Sequence, residues 1–124
     1  MAGKRVLSIG QCAADHAAIS CVFQRIFDVE VVPAESWQHA QSFVSEQECH
    51  LILVNRVLDG DGSSGVEIIK QLKSTPRTDK IPVMLVSNFD DAQLQAVELG
   101  AARGFGKAAL GQPAMLARVR SVLE

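Results

Sequence analysis

The stretch LILVNRVLDGDGSSG, Leu51 to Gly65, decides the fold. Four aliphatic residues in a row, Leu51 to Val54, leave no polar face, so this strand is expected to be covered on both sides. A turn-rich loop, Asp59 to Gly65, follows it. Val66, Ile69 and Leu72 then recur at helical spacing. A doubly covered strand that leads into a helix is the unit of a parallel sheet, because parallel neighbours need a crossover.

The same rhythm extends in both directions. Towards the N-terminus, Val6 to Ile9 reads as a strand, and Ile19, Val22, Phe23, Ile26 and Phe27 form one helical stripe. Val29 to Val32 reads as a second strand, stopped by Pro33. Trp37, Ala40, Phe43 and Val44 mark a second helix, with Ser36 as its N-cap. Towards the C-terminus, Pro82 to Val86 is a fourth strand. Asp90 and Asp91 are placed to cap a helix that carries Leu94 and Val97 inward and ends at Gly100. Gly104 to Lys107 is a weak fifth strand, and Pro113 suits the first turn of a last helix lined by Leu116, Val119 and Leu123. Five β-then-α units predict an α/β fold, a doubly wound five-stranded parallel sheet with helices on both faces.

In such sheets, sites form beyond the carboxyl ends of the strands. The residues there are Gly10 and Gln11, Asn55 and Arg56, Ser87 and Asn88, and Lys107. Taken singly, each is a polar residue leaving a strand for solvent. Taken together, they are the candidate site.

Composition narrows the function. The chain has 124 residues, a length that predicts one domain over 1–124. With 48% hydrophobic and 21% charged residues it is not a disordered tail. Twelve Lys and Arg against fourteen Asp and Glu give a net charge of −2 with the signs mixed, which argues against a nucleic-acid binder. No aliphatic run is long enough to span a bilayer, and MAGKRVLSIG lacks the long apolar core of a secretory signal. Cys12, Cys21 and Cys49 are odd in number and have no C-x-x-C spacing, which predicts reduced thiols in the cytoplasm rather than a disulfide framework or a zinc site.

Other chemistries fit poorly. Counted from Asp59, the calcium-loop positions for Gly and Glu fall on Ser64 and Lys70, so DGDGSSG reads as a solvated turn. SIGQCAAD, Ser8 to Asp15, lacks the glycine pattern of a nucleotide cradle. Cys12 stands where a helix N-terminus would lower a thiol pKa, although a buried inert cysteine is the simpler reading. His16, His39 and His50 have no paired spacing, so no metal site is expected, and Trp37 reads as core.

LILVN before its Gly-rich loop, IPVMLVS (Ile81 to Ser87) and GAARGFGK (Gly100 to Lys107) resemble the receiver domains of bacterial response regulators over essentially the whole chain. The resemblance implies a flavodoxin-like (βα)5 fold with strand order 2-1-3-4-5. It also implies a pocket with an acidic pair, a phosphoacceptor Asp, a Ser or Thr, and a Lys. Here Ser87 and Lys107 match, but the acidic pair falls on Gly10 and Gln11 and the phosphoacceptor on Asn55. Asn88, Gly104 and Ala108 also depart from the pattern, Gly104 at the position of the switch aromatic. The loop after the third strand is longer than that pattern by about two residues, which a surface loop absorbs cheaply.

An amide is a poor nucleophile, and Mg²⁺ prefers anionic oxygens. The expectation is therefore a pseudo-receiver. It is neither an enzyme nor a cofactor protein. It acts as a phosphorylation-independent interaction module for a histidine kinase, another regulator or an output protein, with no nucleic acid or membrane partner. No output domain follows Glu124, which reads as a stand-alone domain or a fragment, and the oligomeric state stays open. With Lys107 kept and the matching carboxylates gone, the pocket is expected to be positive, unless Asp59 folds back onto Lys107 or Arg56. Two alternatives stay open: a displaced phosphoacceptor at Asp59 or Asp61, and a small-anion sensor at Lys107 and Ser87, with Arg56, Asp59, Asp61 and Asn88 on the rim.

Overall fold

The computed structural model describes residues 4–123; Met1 to Gly3 and Glu124, the ends of the expected 1–124 span, lie outside the described residues. Five strands, β1 (Arg5–Ile9), β2 (Glu30–Ala34), β3 (Leu51–Asn55), β4 (Val83–Val86) and β5 (Ala102–Phe105), form one parallel sheet in the order β2-β1-β3-β4-β5. Leu51 to Val54 are fully buried, as a central strand covered on both faces must be. The helices are α1 (Ala13–Phe27), α2 (Trp37–Glu46), α3 (Gly65–Ser74), α4 (Asp90–Glu98) and α5 (Pro113–Leu123).

Alternation along the strands sorts the core into two layers. Leu7, Ile9, Ile52, Val54, Val83 and Leu85 pack with Ala40, Ile68, Ile69, Leu72 and Ala96 from α2, α3 and α4. Val6, Leu51, Leu53, Met84, Val86 and Phe105 pack with Ile19, Phe23, Met115, Val119 and Leu123 from α1 and α5. Ser36 caps α2 as expected, accepting from the His39 N–H. Lys4 Nζ donates to the Leu123 carbonyl and ties β1 to the end of α5.

Three local expectations are corrected. Pro33 does not stop β2 but lies inside it, paired with Ser8. An edge strand tolerates proline because one side of it has no partner. The fifth strand ends at Phe105, and Lys107 opens a single 3₁₀ turn, Lys107–Ala109.

The third correction concerns α4, whose N-cap is Phe89 rather than an aspartate. Its core face is Ala92, Gln93 and Ala96, while Leu94 and Val97 are 57% and 42% exposed. The physical reason is a backbone defect. Met84 pairs with Ala102 and Val86 with Phe105, so between these pairs one residue of β4, Leu85, opposes two of β5, Arg103 and Gly104. The bulge leaves ladder groups unpaired, and the buried Gln93 amide takes them up. Its Nε2 donates to the Leu85 carbonyl (2.9 Å) and the Ser87 carbonyl (3.0 Å), and its Oε1 accepts from the Gly104 N–H (3.0 Å). A Cβ at Gly104 would lie 2.1 Å from the Leu85 oxygen, so only glycine admits this approach.

Candidate functional site

The carboxyl ends of β3, β4 and β5 open into a cavity of about 240 Å³ lined by Asn55, Arg56, Val57, Val86, Ser87, Asn88, Phe89 and Lys107. The expected convergence of Asn55, Ser87 and Lys107 is therefore present. Parallel strands all finish on one edge, and that brings residues far apart in sequence together.

Asn55 is held as a donor. Its Nδ2 donates to the Gly10 carbonyl (3.0 Å) and to the Val57 carbonyl (2.8 Å). A carboxylate cannot reproduce these bonds, because an ionised one only accepts. The β3–α3 loop closes around the same point. The Asp59 N–H donates to the Gly10 carbonyl (2.9 Å), Val57 and Ser64 form an antiparallel bridge, and Leu58 is fully buried beneath. Gly10 has φ +78°, and a Cβ there would sit 2.3 Å from Leu58 Cγ. The acidic-pair position is thus filled by a glycine that the backbone requires. Gln11 does not line the cavity; its amide is shielded from solvent and makes no hydrogen bond among the described residues.

Lys107 is not the lone cation expected. Its Nζ lies 2.6 Å from Asp15 Oδ2, in the first turn of α1. The lysine hydrogen bond holds the Asp15 carboxyl below the usual carboxylate range, with the Cys12 thiol adding a second hydrogen bond. The expectation for Lys107 is therefore corrected: Asp15, not Asp59, pairs with it, while Arg56 lines the cavity as a second cation. Counting strand-end residues alone missed it. Asp15 arrives one helical turn ahead of Ile19, on the face that packs against the sheet, and that spacing is the sequence feature that points to it.

The remaining polar groups are also engaged. Ser87 Oγ accepts from the Phe89 N–H (3.1 Å). Asn88 Oδ1 accepts from the Ala108 N–H (3.2 Å) and occupies the space that a Cβ on Gly106 would take. The Arg56 guanidinium stacks on the Phe89 ring, 4.9 Å from its centroid. Asp59 and Asp61 are exposed and do not line the cavity; Asp61 Oδ1 accepts from the Ser63 N–H instead. Among the described residues no group of three His, Cys, Asp or Glu side chains is placed to hold a metal ion. The donor set at Asn55 does not fit Mg²⁺ either, since an amide N–H fills the point on which the Gly10 and Val57 carbonyls converge.

Solved structures share this architecture. The receiver domain of a DNA-binding response regulator (merR) from Colwellia psychrerythraea superposes with a TM-score of 0.81, at 21% identity over 97% of this chain and 98% of that one. The fold is the receiver fold. The BeF3-activated receiver domain of RstA from Klebsiella pneumoniae gives 0.80 at 20% identity, covering 98% and 99% of the two chains. The chemotaxis protein CheY4 from Vibrio cholerae gives 0.75 at 17% identity, covering 97% and 98%. In sequence, the chain is 28% identical over 103 residues to the phosphate regulon transcriptional regulatory protein PhoB of Pseudomonas aeruginosa. That match takes in 82% of this chain and 44% of PhoB, so the chain spans less than half of that relative. No family model matches. Among the described residues no helix is long and apolar enough to cross a membrane.

Proposed function

We propose that this chain is a pseudo-receiver of two-component signalling, a receiver domain that presents a surface to protein partners without being phosphorylated. The observation that carries the reading is the Asn55 amide, whose two hydrogen bonds to the Gly10 and Val57 carbonyls fill the phosphoacceptor position with a neutral donor. An aspartyl phosphate needs a carboxylate nucleophile, and among the described residues no carboxylate lines the cavity. On this reading the domain is neither an enzyme nor a cofactor protein. It works in the cytoplasm with a histidine kinase, another regulator or an output protein, and engages neither nucleic acid nor membrane.

The alternatives carry less weight. An anion at Lys107 and Ser87 has to displace Asp15, and a phosphoryl group on Asp59 or Asp61 would sit outside the cavity that holds Lys107.

The test is incubation with acetyl phosphate and Mg²⁺, read by intact mass. The expected result is no phosphoryl adduct on the native chain, and little on Asn55→Asp, which gains one carboxylate but no metal site. An adduct on the native chain overturns the proposal, and its mapping to Asp59 or Asp61 would establish the displaced phosphoacceptor. Efficient labelling of Asn55→Asp would show a more intact pocket than the geometry describes.

A further inference from the structure

A second and larger hollow lies beside the strand-end cavity, on the far side of the Arg56–Phe89 stack. It is a groove of about 590 Å³ between the β3–α3 loop and the first turns of α3 and α4. Val57, 44% exposed, and Phe89, 55% exposed, line it together with the half-buried Val66. Bulky apolar groups at a concave, solvent-open position mark contact surfaces more often than isolated surface residues do.

The charges around it have one dominant sign. Glu67 and Asp91 stand on opposite walls, in the first turns of α3 and α4. Asp61 lies on the loop beside Gly62, which also lines the groove. Among the described residues Glu67 and Asp91 have no ionic partner, in contrast to Asp90, which pairs with Arg103 (3.3 Å) on the other side of α4. Among the described residues the one cation in the lining is Arg56, which lies over the Phe89 ring. The groove therefore offers an apolar floor between two unpaired carboxylates.

We propose that the groove between α3 and α4 is a docking site for a protein segment that carries an aliphatic side chain flanked by arginine or lysine. The inference deepens the interaction-module reading and rests on it, because it names the kind of partner. Charge complementarity chooses the occupant. A basic segment gains partners at Glu67 and Asp91 while its aliphatic group covers Val57, Val66 and Phe89. An acidic or purely polar segment gains neither.

The test is amide chemical-shift mapping on the isotopically labelled full chain, titrated with the capped peptide Arg-Leu-Ala-Arg-Leu. Two control peptides replace every Arg by Glu, or every Leu by Ser. Shifts are expected at Val57, Val66, Glu67, Phe89 and Asp91, with the Arg peptide alone. Loss of both rim carboxylates, in Glu67→Gln with Asp91→Asn, should weaken binding about two- to thirtyfold, the range of two exposed ion pairs. Both substitutions are at exposed positions, so this variant keeps the fold, and Phe89→Ala should weaken binding independently. Equal binding of the Glu peptide, shifts confined to another face, or no shift at millimolar peptide overturns the groove. None of these outcomes bears on the acetyl phosphate result, so the two proposals fail separately.

Discussion

Replacing Gln93 by methionine keeps the side-chain length and removes every hydrogen bond, so it isolates what the buried amide does. Three backbone groups lose a partner: the Leu85 and Ser87 carbonyls and the Gly104 N–H. The bonds to Leu85 and Gly104 are fully buried, and the one to Ser87 is partly so. A buried backbone group left unpaired costs about 1–3 kcal/mol, so the two buried ones set an expected loss of about 2–6 kcal/mol. Within a net stability of about 5–15 kcal/mol that is a large fraction. Urea unfolding should show it as a fall in the midpoint at unchanged slope. Hydrogen exchange should accelerate first at Gly104, on the strand that the amide holds. Gln93→Glu sharpens the case. Burial raises the folded carboxyl pKa, so its deficit should grow as pH rises above the unfolded value and shrink on acidification, as the protonated group regains a donor. A loss below about 1 kcal/mol in Gln93→Met would refute the reasoning, since relaxation of β5 against β4 would then satisfy these groups without the side chain.

Asp15→Asn should cost about 0.5–1 kcal/mol at neutral pH, because its ion pair with Lys107 is about a third exposed and screened. The folded Asp15 pKa is lowered, so this contribution is present above the unfolded value near 3.9 and disappears as pH falls through the lower folded value. Urea titrations at neutral and strongly acidic pH check this, and a difference between the two proteins that persists in acid contradicts the pairing. Gly10→Ala should destabilise by about 2–4 kcal/mol, combining a left-handed backbone with a clash against Leu58. Gly62→Ala is its control, with φ +72° and nothing within 4 Å, and should cost only about 1 kcal/mol by thermal melting. With a maleimide reagent in native buffer, the exposed Cys21 should label first and Cys49 last, since burial pushes the Cys49 thiol up. Fast labelling of Cys49 would mean that the layer beneath α2 opens readily.

The strands and the site were legible for different reasons. Leu51 to Val54 and Val83 to Val86 advertise themselves as uninterrupted aliphatic runs, and their parallel alignment delivers Asn55 and Ser87 to one edge. Lys107 joins them although it lies beyond the strand, because the sheet edge, rather than the strand boundary, sets its position. What sequence reasoning missed comes from groups whose role depends on a partner elsewhere in the chain. Asp15 belongs to a helix, so a count of strand ends passes over it. In α4, Leu94 and Val97 looked like the inner face because apolar periodicity cannot register a backbone defect on two other elements. Gln93 displaced them by satisfying hydrogen-bonding groups that no hydropathy pattern records. The Arg56–Phe89 stack was likewise unreadable, since it joins a loop after β3 to the cap of α4.

The proline in β2 has a consequence for the chain's behaviour in crowded solution. The Ala34 carbonyl accepts from the Gly10 N–H, so the polar groups of Ala34 face β1 and those of Pro33, one residue earlier, face outward. In a parallel ladder the two groups of one residue point to the same side. The outer margin of the sheet therefore lacks an N–H at Pro33, where an incoming strand from another molecule would need a donor. Opposite it, β5 is short and bulged, which disrupts the other margin. Unprotected margins template aggregation, and proline and bulges are two ways by which sheets avoid it. A five-stranded sheet with both margins blunted in this way can stay monodisperse at high concentration while its neighbouring helix faces remain open to specific contacts.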